Sequence, residues 1–297
     1  TGTLLPFRRG FERIVKGRTV PVIPVHLDRI WGSIFSFSQG RFITKRPERV
    51  PYPVTVSFGS PQPPDTPAHE LRRLVRELGE TAWHERKADQ EPLHRSVIKT
   101  WRRHPFTFTM ADASRPKVSG LQALIGTIVL ARTLRPHWEG QQNVGLLLPP
   151  SVAGALVNVA AALSGKTSVN LNYTLGRAGL ESAVRIASLK TVLTSRLFVE
   201  KAKLDIPQGV TVLWLDDIAK TITAGTKLSA SLLAILSPIR LIERSCGQVR
   251  RTTMDDLATI IFSSGSTGEP KGVMLSHFSI NSNVEGAAQV IHIGQAD

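Results

Sequence analysis

Cysteine is almost missing from this chain, with Cys246 the single one in 297 residues. No internal disulfide can form, and the composition suits a reducing compartment. Cys246 itself reads as a small buried or surface thiol. Long hydrophobic runs are lacking too. The longest apolar stretches, Leu121 to Ala131 and Val152 to Leu163, are interrupted by Gln122 and Asn158. Both fall short of the roughly 20 residues a membrane-spanning helix needs. The sequence has no zinc-type Cys/His spacing, no aromatic-basic module of the kind used on RNA, no internal repeat and no low-complexity tract. Those absences argue against a structural metal and against a nucleic acid partner. The chain opens on Thr1 rather than Met, without a basic-then-apolar signal segment, and closes soon after an expected helix. It is expected to be a fragment cut at both ends.

Positive charge is what the chain has in excess. The formal net charge is +14, and residues 1–50 carry ten lysines and arginines against three acids. Half of the excess thus sits in a sixth of the chain, where it could face nucleic acid or an anionic membrane surface. The missing nucleic-acid modules favour the membrane.

Two sections differ in pattern. The first is expected to hold short strands at Val20–His26, Arg41–Thr44 and Val54–Phe58, then, past a proline-rich run, a helix marked by Leu71, Leu74, Val75, Leu78 and Ala82. A polar stretch at 88–104 reads as a linker. Beyond it helices and strands alternate: helix Gly120–Leu134, strand Val144–Leu148, helix Val152–Leu163, a strand near Ser168, helix Leu175–Ala187, strands Thr191–Leu193 and Val210–Leu215. This order predicts an α/β fold with a parallel sheet and flanking helices. Residues 227–241 form an apolar segment, a surface helix or an insertion.

The most specific feature is Ile260-Ile-Phe-Ser-Ser-Gly-Ser-Thr-Gly-Glu-Pro-Lys-Gly-Val-Met-Leu-Ser-His277. An apolar strand runs into a loop that offers the hydroxyls of Ser263, Ser264, Ser266 and Thr267. Gly265 and Gly268 let the backbone approach a ligand and present N–H groups as an anion nest. Pro270 stiffens the turn, and Lys271 adds a cation. A Walker A loop would need Gly-Lys-Ser/Thr five residues after Gly265, where Pro270 stands, so phosphate is held by another scheme. His277, just past the loop, could be catalytic or could cap and pack the helix that follows.

The whole string resembles the signature of the acyl-adenylate-forming superfamily, and Asn143-Val-Gly-Leu-Leu-Leu-Pro-Pro-Ser-Val with Gly165-Lys-Thr-Ser-Val-Asn-Leu-Asn-Tyr resembles an earlier region of the same family. The resemblance implies ATP and Mg²⁺ as cofactors, with Ser263, Ser264, Gly265, Ser266, Thr267, Gly268 and Lys271 steadying the triphosphate. A fatty acid carboxylate then attacks the α-phosphorus, and the acyl group passes to a thiol. The family's magnesium, ribose and C-terminal lysine elements would fall past Asp297, so catalytic residues are expected outside the chain and the fragment alone is expected to be inactive.

Upstream, Thr1-Gly-Thr-Leu-Leu-Pro-Phe-Arg-Arg-Gly-Phe-Glu and Val20-Pro-Val-Ile-Pro-Val resemble the later part of a glycerolipid acyltransferase domain. That likeness implies Phe7, Arg8, Arg9 and Gly10 beside a lysophospholipid phosphate, with plain surface charge the alternative for the two arginines. The acyltransferase His-x₄-Asp pair would lie before Thr1. Two mimics, His84 to Asp89 and His292 to Asp297, stand in the wrong order and are rejected. The resulting organisation is a partial acyltransferase domain over 1–87, a linker over 88–104 and an incomplete adenylate-forming domain over 105–297. It resembles the bacterial bifunctional 2-acylglycerophosphoethanolamine acyltransferase/acyl-[acyl carrier protein] synthetase family. Acyl carrier protein, lysophospholipid and the cytoplasmic face of the inner membrane are the implied partners and place. Two alternatives stay open: an acyl-CoA ligase with a membrane-docking N-terminal extension, and a non-catalytic basic binding protein.

Overall fold

The structure is a computed structural model that describes residues 4–8, 10–30, 33–36, 51–263 and 270–290. The chain divides into two compact units, Thr1–Gln90 with Gln289–Asp297, and Glu91–Ala288.

In the first unit, helix α1 (Gly10–Val15) precedes strands β1 (Val25–Asp28) and β2 (Thr55–Phe58), which pair antiparallel with Val25 opposite Phe58. The expected strand over 20–26 starts later, because Pro21 and Pro24 cannot donate to a ladder. Among the described residues a single bridge, Val22 to Gln62, stands before it. The expected strand 41–44 lies outside the described residues. Helix α2 (Ala68–Glu85) buries Leu71, Val75 and Ala82. It lies so close to β1 that a Cβ on Gly79 would sit 3.0 Å from the His26 ring. At its end Arg86 forks onto the Asp28 carboxylate at 2.8 and 2.6 Å. Burial pushes the Asp28 carboxyl up, but the Arg86 hydrogen bonds and charge and the Arg29 backbone N–H outweigh it, so its pKa is lowered.

The second unit holds a six-stranded sheet of order β10-β9-β6-β5-β7-β8. Its strands are β5 (Asn143–Leu146), β6 (Thr167–Asn170), β7 (Thr191–Thr194), β8 (Thr211–Trp214), β9 (Leu257–Ser263) and β10 (Lys271–Ser276). All neighbours are parallel except β10, which runs antiparallel to β9. A small pair, β3 (Phe108–Met110) with β4 (Val118–Ser119), stands apart.

Helices cover both faces of the sheet, as the alternating pattern predicts. On one face α5 (Val152–Leu163) sets Val157 and Ala161 against Val144, Leu146, Leu193 and Leu213. On the other, α6 (Gly176–Ile186) sets Leu180 and Ala183 against Leu147, Val169, Val192 and Phe262. The odd and even residues of β5 thus face opposite layers, as a strand requires. Gly145 faces the α6 side, where a Cβ would lie 2.9 Å from Leu189, Thr191 and Val192 atoms at once.

Helix α4 (Gly120–Leu134) begins at a capping box, with the Ser119 side chain bonded to the Gln122 N–H and the Gln122 side chain bonded back. It shares a core with α5 that includes Leu124, Ile128 and Leu156. Each such buried side chain contributes about 1.5–3 kcal/mol.

The stretch 88–104, expected as a linker, is largely folded. Helix α3 (Leu93–Arg103) buries His94, Ile98 and Trp101, one face at i, i+4, i+7. Its charges occupy the other faces, which gives the sequence its polar look. The uncertain segment 227–241 resolves into α9 (Ala224–Leu236) and α10 (Ile239–Ser245), parted at Pro238. The shorter α7 (Arg196–Lys201) and α8 (Leu215–Lys220) link strands, and α11 (His277–Val290) follows β10.

Candidate functional site: the β9–β10 hairpin

Strand β9 emerges at the carboxyl end of the parallel strands, where open α/β sheets place ligands. Its last residue, Ser263, pairs with Lys271, the first residue of β10. Between them, Pro270 is buried, and Ser264, Gly265, Ser266, Thr267 and Gly268 lie outside the described residues. Ser263 and Lys271 are both exposed, and the Ser263 hydroxyl stands 3.5 Å from the Lys271 carbonyl. The structure therefore sets Ser263 opposite Lys271, both exposed, at the mouth of one hairpin.

The stem below is held tightly. A Cβ on Gly272 would meet Ile260 and the Phe262 ring at 3.3 Å, so the absence of a side chain lets Phe262 lie across β10. Behind β9, a polar lattice ties three elements. Asn170 of β6 donates to Asn158 of α5 at 2.9 Å and to Thr259 of β9 at 3.0 Å, and Thr259 donates to the Ser168 carbonyl at 2.9 Å. Asn170 lies within the motif Gly165–Tyr173, whose sequence alone assigns it no task. Its signal was a polar side chain at the end of a strand otherwise buried.

At the foot of the hairpin, the Ser276 hydroxyl accepts from the Ser279 N–H at 3.1 Å and caps α11. His277 is 2% exposed. Its Nδ1 accepts the Leu93 backbone N–H at 3.2 Å, and the His277 backbone N–H donates to the Asp256 carbonyl at 3.1 Å. Burial, with a smaller contribution from His94, pushes its pKa down to about 4, and Asp256 offsets part of this. His277 is thus a packing residue that joins the hairpin to α3.

Nearby, Glu243 is fully buried. It accepts from His94 at 3.0 Å, from Arg95 at 2.6 and 2.7 Å, and from Arg240 at 3.2 Å. Burial pushes its carboxyl up, but the hydrogen bonds from His94 and Arg95 and the Arg95 charge prevail and hold it well below the usual range.

In the other unit, Arg8 is exposed, Gly10 opens α1 and Phe7 is half-buried, while Arg9 lies outside the described residues. Glu12 accepts the Ala68 N–H at 3.1 Å, and Arg72 donates to the Leu4 carbonyl at 2.9 Å, so this segment is fastened to the start of α2. Of the rejected mimics, Asp89 is paired with Arg29 at 2.6 Å, which is 60 residues away in sequence. His292 and Asp297 lie outside the described residues.

The decisive comparison is with protein families: the AMP-binding enzyme profile matches residues 129–297, which takes in the sheet, its helices and the hairpin. The chain belongs to the AMP-binding enzyme family. Among curated AMP-binding relatives it is 30% identical to 4-coumarate--CoA ligase 1 of Arabidopsis thaliana over 147 residues, covering 48% of this chain and 25% of that protein. It is 24% identical to long-chain-fatty-acid--CoA ligase 5 of Rattus norvegicus over 181 residues, covering 58% and 26%. The chain thus spans about a quarter of the length of these ligases. Among solved structures, the inhibitor-bound N-terminal domain of FACL13 from Mycobacterium tuberculosis matches with a TM-score of 0.54 at 21% identity, over 69% of this chain and 49% of that one. The match shows a shared fold: the α/β unit of this AMP-binding chain resembles the N-terminal part of adenylate-forming domains.

Proposed function

We propose that this chain forms the phosphate-gripping part of a ligase that activates a fatty acid with ATP as an acyl-adenylate. The observation that carries the reading is the Ser263–Lys271 hairpin mouth, set at the carboxyl end of the sheet within the AMP-binding match. The relatives named above, a coumarate ligase and a long-chain fatty acid ligase, support a carboxylate substrate.

The donor set fits a triphosphate. Lys271 supplies three N–H donors and a full charge, and Ser263 a hydroxyl at the same mouth. Ser264, Gly265, Ser266, Thr267 and Gly268 add hydroxyls and backbone N–H groups in sequence between them. Their work is positioning and charge neutralisation while the substrate carboxylate attacks, so no protein nucleophile is needed. ATP supplies the electrophilic α-phosphorus and carries Mg²⁺ on its phosphates. Among the described residues no cluster of His, Cys, Asp and Glu suits a metal ion.

The finer reading keeps acyl carrier protein as the acceptor, with the first unit belonging to a lysophospholipid acyltransferase. In it Phe7, Arg8, Arg9 and Gly10 lie beside the lysolipid phosphate, and the basic N-terminal section meets the anionic inner membrane from the cytoplasm. The motif likeness at 1–25 supports it. A second reading, an acyl-CoA ligase with an N-terminal docking extension, is favoured by the names of the relatives. ATP–pyrophosphate exchange with a long-chain fatty acid, run on residues 1–297 and on the longest form the gene encodes, tests the activation step. Lack of exchange in the longest form would leave only a basic binding protein. Holo-carrier protein or coenzyme A as acyl trap, followed by a lysophospholipid acylation assay, separates the two ligase readings.

A further inference from the structure

Helix α9 is apolar on two opposite faces, and among the described residues only one of them is packed. Ala230 and Ala234 are fully buried in the core shared with α4 and α5. The helix is firmly held there: Arg102 donates to the carbonyls of Leu233, Ala234 and Ser237 at 3.1, 2.8 and 2.6 Å, and Arg132 donates to Ser229 at 2.8 Å. On the far side, Leu228, Leu232, Ile235 and Leu236 are 64, 52, 61 and 74% exposed. Their spacing of i, i+4, i+7 and i+8 makes one stripe. Leu241 of α10 is also half exposed. A helix fixed in place with a leucine stripe turned to water is the mark of an interaction surface rather than of scatter.

The charge around the stripe says what it meets. Helices α9 and α10 carry three basic residues, Lys227, Arg240 and Arg244, and one acid, Glu243, which is buried and already paired. Lys227 and Arg244 are exposed on α9 and α10, with Arg244 one turn from Leu241. A second copy of the chain would bring the same positive field and be repelled. An anionic bilayer complements both the charge and the leucines. At 13 residues the helix is too short to cross a bilayer and would lie in its surface.

We propose that the Leu228–Leu232–Ile235–Leu236 face of α9 seats in the surface of an anionic lipid bilayer, with Lys227 and Arg244 at the headgroups. The proposal stands on α9 and α10 alone, independently of the carboxylate-activating reading and of the basic N-terminal section.

The test uses the 297-residue chain with Ile235→Cys carrying an environment-sensitive fluorophore. Buried Cys246 should not compete for the label. Phosphatidylcholine vesicles containing phosphatidylglycerol should shift the emission to the blue, with a weaker shift at high salt, and pure phosphatidylcholine should give little. The same label at Lys201→Cys should not respond, because α7 belongs to the opposite face of the sheet, where Phe198 packs. Leu232→Glu with Ile235→Glu should weaken vesicle binding at least about tenfold, with circular dichroism unchanged because both sites are exposed. Vesicle binding without a shift at residue 235 would assign the contact to another surface, and a shift that grows with protein concentration in the absence of lipid would assign the face to a second copy. Either result overturns the proposal.

Discussion

His277 accepts the Leu93 backbone N–H at Nδ1 across 3.2 Å, although 184 residues separate the two. The bond requires an unprotonated Nδ1, and burial keeps the ring in that form by lowering its pKa to about 4. The unfolded chain binds the proton more readily, near the ordinary histidine value of about 6.5. His277 therefore contributes stability that is fully present above pH ~6.5 and is lost as pH falls through about 4. The loss is on the order of 3 kcal/mol. Urea unfolding of the native chain and of His277→Asn at pH 7 and pH 5 checks this: the variant should lose less stability on acidification than the native protein.

Glu243 is the buried anion shared by Arg95, His94 and Arg240. Glu243→Ala leaves Arg95 charged and without its carboxylate, and should destabilise the unit by about 3–5 kcal/mol. The urea midpoint reports it, since α3 and α10 are joined through this carboxylate.

Two glycines should respond in opposite directions. Gly145→Ala would force a methyl group against three atoms at 2.9 Å, two of them side-chain carbons and one the Thr191 carbonyl. A loss of about 1–3 kcal/mol is expected. Gly286 in α11 has nothing within 4 Å of such a methyl. Gly286→Ala should be neutral or stabilise by up to ~1 kcal/mol through helix propensity. Thermal midpoints of the two variants measure the contrast.

Cys246 is fully buried, and burial is the main reason its thiol pKa is pushed up to about 11. Few thiolates exist at neutral pH, and reagents cannot reach them. Labelling by iodoacetamide should be negligible in the native chain and complete in urea.

Much of the second unit was legible in the sequence because local signals agreed with the global fold. The bounds expected for α4 and α5, Gly120–Leu134 and Val152–Leu163, are those observed, where Ser119 and Ser151 each cap a helix. Other features rest on contacts distant in the chain. Nothing local to His94 announces Glu243, 149 residues on, and the polar surface of α3 hid the buried stripe of His94, Ile98 and Trp101. At the candidate site, the strand and the Lys271 that follows its loop were readable from residue types, whereas the Asn158–Asn170–Thr259 lattice behind it emerges only once α5, β6 and β9 are assembled.

The central claim is that the hairpin opening between Ser263 and Lys271 grips nucleotide phosphate during carboxylate activation. The direct measurement is fatty-acid-dependent ATP–pyrophosphate exchange by Lys271→Ala in the longest form of the protein. The side chain is exposed, so the fold should survive its removal. Loss of a charged phosphate contact should slow exchange by about 10²-fold or more. Exchange at the unaltered rate would contradict the account.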